Sequence, residues 1–271
     1  MKLFWRALPS AITLLAVLAL LVHGPIAQFE HYHEFADVST WAGVPHVMDV
    51  FSNTGFALVA IYGFVVLQVK KREIGCGRSF VAYAMFVASL AATAVCSTYY
   101  HLAPDNARLF WDRLPIALAC CSLLAATRAE YKPAMDTRQA VMELGLLLLT
   151  GLMSVVWWQQ SGDLRPYLLI QGLALTLIPI RLLMHDALKA DRKGTLMFTA
   201  ALGLYVVAKI TELLDAQILQ CSHFISGHSL KHLLAALAAG LIVYRWQQQK
   251  SMSRPTPASL QKIEVYRQTA S

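Results

Sequence analysis

Five residues in this chain have the types and spacing for chemistry: Ser97, His101, Asp112, His228 and His232. They occur in Ser97-Thr98-Tyr99-Tyr100-His101, in Asp112 eleven residues on, and in His228-Ser229-Leu230-Lys231-His232. Residues four apart share one face of a helix, which pairs Ser97 with His101 and His228 with His232. Three neutral imidazoles meeting at one point suit a divalent metal and leave a fourth place for water. A carboxylate beside that water takes its proton, which is the chemistry of hydrolysis.

The elements that must position these residues are apolar. Of 271 residues, 57% are hydrophobic and 14% charged, where a soluble domain carries about 25% charged residues. Residues 11–22, 54–69, 80–97, 114–126, 144–158, 167–180, 196–208 and 233–244 are nearly free of charge. With their flanks, most approach the ~20 residues that cross a bilayer. No long stretch alternates apolar and polar residues, which argues against a membrane β-barrel. The expected fold is an all-α polytopic membrane helical bundle of about eight spans.

The net charge of +7 is explained by topology and not by nucleic acid. Lys2, Arg6, Lys70, Lys71, Arg72, Arg78, Arg128, Lys132, Arg138, Lys189, Arg192, Lys193 and the C-terminal Arg245, Lys250, Arg254, Lys262 and Arg267 fall on one side of alternating spans. Arg108 and Arg165 fall on the other. This is the positive-inside pattern, and it predicts cytoplasmic termini. Residues 1–27 read as an N-terminal transmembrane helix or signal anchor, with a cleaved signal peptide as the alternative. Residues 28–246 form the membrane domain, and 247–271 read as a disordered cytoplasmic tail. Cys76, Cys96, Cys120, Cys121 and Cys221 show no paired framework, so neither a structural disulfide nor a thiolate metal site is expected.

The topology places all five singled-out residues at the outer ends of their spans. Chance placement would scatter them, and ionisable groups at membrane depth are usually functional. Other polar residues have plainer readings. Ser52 and Asn53 are read as helix-packing groups. Lys209, Glu212 and Asp215 are read as a neutralised ladder or a functional relay, with neither preferred. Asp112 has a structural alternative, an ion pair with Arg113 or a helix cap. Tyr99, Tyr100, Trp111, Trp157 and Trp158 read as an interfacial belt.

The set Ser97, His101, Asp112-Arg113-Leu114-Pro115 and His228 with His232 resembles the alkaline ceramidases, within the superfamily of membrane hydrolases that includes the adiponectin-receptor-like proteins. Cys120-Cys121 and Ser52-Asn53 are also similar to family members. The resemblance covers about residues 46–246. It implies a seven-helix core, to which the N-terminal helix is an addition. It also implies zinc on His101, His228 and His232, with Asp112 as general base and Ser97 assisting. The implied reaction is hydrolysis of a ceramide-like lipid amide, a step of sphingolipid metabolism. His46 stands where the family has an acidic residue of a calcium site, which argues against calcium dependence. Two other readings remain open from the residues: a non-enzymatic metal or haem membrane protein (receptor or electron carrier), and a transporter working through Lys209, Glu212 and Asp215. The expected partners are a lipid amide substrate and the membrane, with no nucleic acid. The oligomeric state is not legible in the sequence.

Overall fold

The computed structural model describes residues 2–74, 77–132, 135–184 and 192–249. Cys76 and nearly all of the C-terminal tail therefore lie outside the described residues. The elements are α1 (Lys2–His23), β1 (Thr40–Trp41), β2 (Val44–Pro45), α2 (Val47–Ser52), α3 (Thr54–Ile74), α4 (Phe80–Leu102), α5 (Asn106–Tyr131), α6 (Thr137–Ser161), α7 (Arg165–Met184), α8 (Arg192–Leu213), α9 (Asp215–Ser222) and α10 (Gly227–Gln248). The two strands form a small antiparallel hairpin, with Thr40 opposite Pro45. The chain is an all-α membrane bundle.

Among the described residues, six helical segments are long and apolar enough to cross a membrane: Val47–Arg72 (α2 running into α3), α4, α5, α6, α8 and α10. The eight expected spans included two more, α1 and α7, which are helical but fall outside this set. The apolar part of α1, Ala7–His23, is shorter. Helix α7 carries Arg165, Gln171 and Arg181 along its length. It is nevertheless part of the bundle, since Gln171, Ala174, Leu177 and Ile178 are buried. Together with the six, α7 completes the expected seven-helix core, and α1 packs against α7 from outside.

The packing order closes a ring. Helix α3 contacts α4, α4 contacts α5, α5 contacts α7, α7 contacts α8, α8 contacts α10, and α10 returns to α3. Helix α6 braces α5 and α7. Close approach depends on small residues: a Cβ on Gly151 of α6 would lie 3.0 Å from the Cys121 sulfur of α5. Leu58, Ile61, Phe64, Val95, Leu146, Leu149, Leu196, Ile210 and Leu237 remain exposed. An exposed apolar surface of that extent is stable only against lipid. Within the spans, hydroxyls satisfy themselves on the preceding turn. Ser89 donates to Met85 O, Thr93 to Ser89 O, Ser122 to Leu118 O and Thr127 to Leu123 O, at 2.7–2.8 Å.

At the bundle end away from the five residues, Arg245 of α10 is buried against α5. Its Nη2 lies 3.0 Å from Glu130 Oε2 and 2.8 Å from the Tyr131 hydroxyl. Its Nη1 donates to the Tyr83 hydroxyl at 3.1 Å, and that hydroxyl donates to Glu130 Oε1 at 2.6 Å. This network joins α4, α5 and α10. At the other end, Asp163 between α6 and α7 anchors the segment that follows α1. Its Oδ1 accepts from Ile26 N at 3.1 Å, and Leu164 N donates to Ile26 O at 2.8 Å. Burial pushes the Asp163 carboxyl up, but the amides of Ile26 and Arg165 and the Arg165 side chain outweigh it and hold it at about 2. Residues 24–46 are thereby fastened over this end of the ring.

Of the expected aromatic belt, Tyr99, Trp111 and Trp157 are exposed, while Tyr100 and Trp158 are buried inside. Trp158 is drawn in by Arg113, whose guanidinium carbon lies 3.9 Å from its ring centroid. Hydropathy alone treats such a tryptophan as interfacial because it sits near a helix end.

Removing one partner of a buried ion pair leaves the other charge uncompensated, at a cost of about 3–5 kcal/mol. Arg245→Met should therefore lower the unfolding midpoint in detergent by several degrees. The double change Arg245→Met with Glu130→Leu should restore more than half of that loss, as measured by thermal melting. Equal losses in the single and double variants would show that the pairing is not what stabilises this end.

Candidate metal centre

His101 lies in the last turn of α4, and His228 and His232 lie in the first two turns of α10. All three are buried, and one nitrogen from each lies within 4.8 Å of the others. His101 Nε2 and His228 Nε2 are 3.2 Å apart. Two nitrogens sharing a tetrahedral zinc at ~2.0–2.1 Å stand about 3.3 Å apart, so this pair already has the separation a common ion requires. Asp112, on the second turn of α5, and Ser97, one turn before His101, line the same cavity as His232. Ser97 and Asp112, from neighbouring helices, face one space. The structure thus brings together all five residues singled out in the sequence.

Local chain features place each of them. Helix α10 begins at Ser226, whose hydroxyl accepts from Ser229 N at 2.9 Å, a standard N-cap. The next residue, Gly227, packs so closely that a Cβ there would lie 2.1 Å from Thr211 O and 2.7 Å from Asp215 Cα. No other residue fits without moving α10 and both of its histidines. Asp215 Oδ1 accepts from His228 N at 2.7 Å, and its Oδ2 accepts from Ala36 N at 2.9 Å. Asp215 is therefore a staple between the external segment and α10, and is not a member of a charge ladder. Lys209 and Glu212 do pair, at 2.9 Å. Asp112 is not ion-paired to its neighbour Arg113 among the described residues, since the Arg113 guanidinium lies over the Trp158 ring.

Ser52 has a larger role than helix packing. Its hydroxyl donates to Asp49 O at 2.9 Å, and its oxygen lies 2.8 Å from His232 Nδ1. A hydroxyl has one proton, so the second contact is Nδ1–H donating to Ser52. That fixes the tautomer of His232 and leaves Nε2 as the lone-pair nitrogen, the usual arrangement around a metal-bound histidine. Asp49 is fully buried, and its Oδ1 accepts from Ser226 at 3.0 Å and Ser229 at 2.6 Å, joining α2 to α10. Phe35, from the segment before α2, packs edge-on against His101 and His228 with ring centroids 4.7 and 4.5 Å away. It shields the imidazoles from water.

The donor set suits a divalent metal. One neighbouring group must give way: Lys231 Nζ lies 2.8 Å from His228 Nε2 and 3.0 Å from Glu212 Oε1. A metal on His228 Nε2 displaces the first of these contacts and leaves the second. Haem fits less well. Two axial imidazoles must admit a flat macrocycle between them, and nitrogens 3.2 Å apart with a third imidazole alongside leave no such slot. In the segment where the resemblance would place calcium, His46 caps α2 in a left-handed conformation, φ 47°. Its Nδ1 bonds Asp37 O at 2.5 Å. The Asp37 carboxylate accepts from Met48 N and Asp49 N at 2.8 and 3.3 Å and from Ser39. Backbone amides and a hydroxyl thus occupy this carboxylate.

Ser52 and Asp49 could have been identified in the sequence only through their partners. The cue is a Ser three residues after an Asp at a helix start, and it is weak without knowledge that α2 faces α10. Phe35 carries no sequence signal of any kind.

Removing the Ser52 hydroxyl should free the His232 ring without unfolding the bundle. Ser52→Ala should weaken metal binding by about 10- to 100-fold, the usual worth of an outer-shell partner. Competition against a chromophoric chelator measures this, and unchanged affinity would refute the orienting role.

No family model, no curated protein and no solved structure matches this chain.

Proposed function

We propose that this protein is a membrane-embedded, zinc-dependent amidohydrolase that cleaves the amide bond of a ceramide-like lipid. The observation that supports it most is the convergence of three histidines from two helices on one point, with Asp112 and Ser97 opening on the same cavity as His232. The resemblance to the alkaline ceramidases supplies zinc and the lipid amide.

The cavity suits a lipid. Its volume is about 380 Å³, in the usual range of ligand sites. From His232 it follows α10 past Ala235, Ala238 and Ala239 to Ile242. Ten helical residues span about 15 Å. The opposing wall runs from Ser97 to Phe86 on α4 and from Asp112 to Leu123 on α5. An acyl chain lies along this apolar wall with its amide at the polar end.

Zinc supplies Lewis acidity, polarising the amide carbonyl and lowering the pKa of water toward ~7. The chain's own residues do the rest. Asp112 accepts a proton from the attacking water and returns it to the departing nitrogen. Ser97, which lines the same cavity as Asp112, has a hydroxyl to offer the oxyanion that develops on the carbonyl. Water adds OH to the acyl carbon, the C–N bond breaks, and the products are a fatty acid and an amine.

Asp112→Asn keeps size but cannot take a proton. It should retain about one zinc per chain in excess metal, while lipid amide hydrolysis falls by ~10²–10⁴-fold. His232→Ala should lose metal and activity together. A fully active Asp112→Asn would remove the base assignment.

The Lys/Arg distribution supports cytoplasmic termini and a site toward the outer side. Cysteines introduced at position 40 should label from outside intact cells, and those at position 71 should not. The reverse result would invert the topology.

A further inference from the structure

Arg113 follows the proposed base directly, yet no step above uses it. It is 3% exposed and lines the same cavity. Its guanidinium lies over the Trp158 ring at 3.9 Å, with Tyr32 and Tyr167 centroids 5.0 and 5.4 Å away. These π faces stabilise the cation. They do nothing for its N–H groups, and Nε and Nη1 have no hydrogen-bond partner among the described residues. A buried charge is ordinarily paired, and leaving one unpaired is costly. Every other cation in the cavity has a carboxylate: Lys209 and Lys231 share Glu212 at 2.9 and 3.0 Å. Arg113 has none among the described residues. With Asp112 and Glu212 as the carboxylates that line the cavity, the space carries one net positive charge before any metal binds.

A guanidinium with unpaired N–H groups bonds a carboxylate or phosphate through charge-assisted hydrogen bonds. The place of the guanidinium fixes which part of the substrate it meets. The acyl channel runs from His232 toward Ile242, away from the end where Arg113 lies beside Tyr32 and Tyr167. A group reaching Arg113 is therefore on the amine side of the amide.

Building on the proposed hydrolase reading, we infer that Arg113 selects lipid amides whose amine part bears an anion close to the nitrogen, of which an N-acyl amino acid is the simplest. The anion pairs with the unsatisfied guanidinium N–H groups while the amide lies between Asp112 and the three histidines. Cleavage releases a fatty acid and an anionic amine.

Three amides with one acyl chain test this in the full-length protein: N-palmitoylglycine, N-palmitoylethanolamine and its phosphate ester. The glycine or phosphate compound, or both, should exceed the neutral one in kcat/KM by about tenfold or more, as expected of a charge-assisted hydrogen bond. The difference should appear mainly in KM. Which of the two anions is favoured identifies the headgroup class. Arg113→Gln should bring the ratio toward one. If that variant does not accumulate, Arg113→Lys, which keeps the charge and loses the planar guanidinium with its several N–H donors, should still reduce the ratio. Wild type without a preference for either anion, or a variant with an undiminished preference, overturns the inference and leaves the hydrolase reading standing. Fluorescence titration of the same three lipids separates the two ideas in the other direction. If no amide is cleaved yet the anionic lipids bind more tightly through Arg113, the hydrolase reading fails and the anion site stands.

Discussion

The site depends on the register between the start of α10 and the end of α4. His228 and His232 meet His101 only if α10 begins where Ser226, Gly227 and Asp215 put it. Gly227 is pressed against Thr211 O and Asp215 Cα, Asp215 holds the His228 amide, and Asp49 receives two hydroxyls of the first turn. These contacts fix one helix end against three others. In a membrane, apolar side chains pack almost equally well against lipid and against each other, so depth and rotation must come from polar and small residues of this kind. The Arg245–Glu130–Tyr83 network does the same at the opposite end of α10.

A functional division of the bundle follows from that constraint. The end with the histidines is polar inside and covered by residues 24–46, which Asp163 and Asp215 fasten down. Phe35 from this cover touches two of the imidazoles. The remainder of the ring encloses an apolar channel. A water-poor cluster of imidazoles thus lies beside an apolar channel. The same burial strengthens every electrostatic interaction within it.

Much of this was legible in the sequence, for physical reasons that can be named. Long charge-free runs leave little alternative to spanning helices. Periodicity of 3.6 put Ser97 with His101 and His228 with His232, and alternation of spans put them at one depth with Asp112. What could not be read were contacts between helices. Ser52 looked like a packing hydroxyl because its partner His232 lies 180 residues away. Trp158 looked interfacial because Arg113, which draws it inward, lies on another helix. Helix α7 looked like an ordinary span because its apolar run outweighs Arg165 and Arg181 to the eye. In the structure Asp163 accepts from Arg165 N and Nε at the start of α7, each at 3.1 Å, and Arg181 donates to Leu124 O at 2.6 Å.

Three imidazoles from α4 and α10 are placed so that they could hold one metal ion. X-ray absorption at the zinc edge of the purified, zinc-loaded protein tests it most directly. The expected result is one zinc per chain with about three imidazole nitrogens at ~2.0–2.1 Å and no sulfur. A zinc environment without imidazole scattering, or no zinc retained at saturating metal, would contradict it.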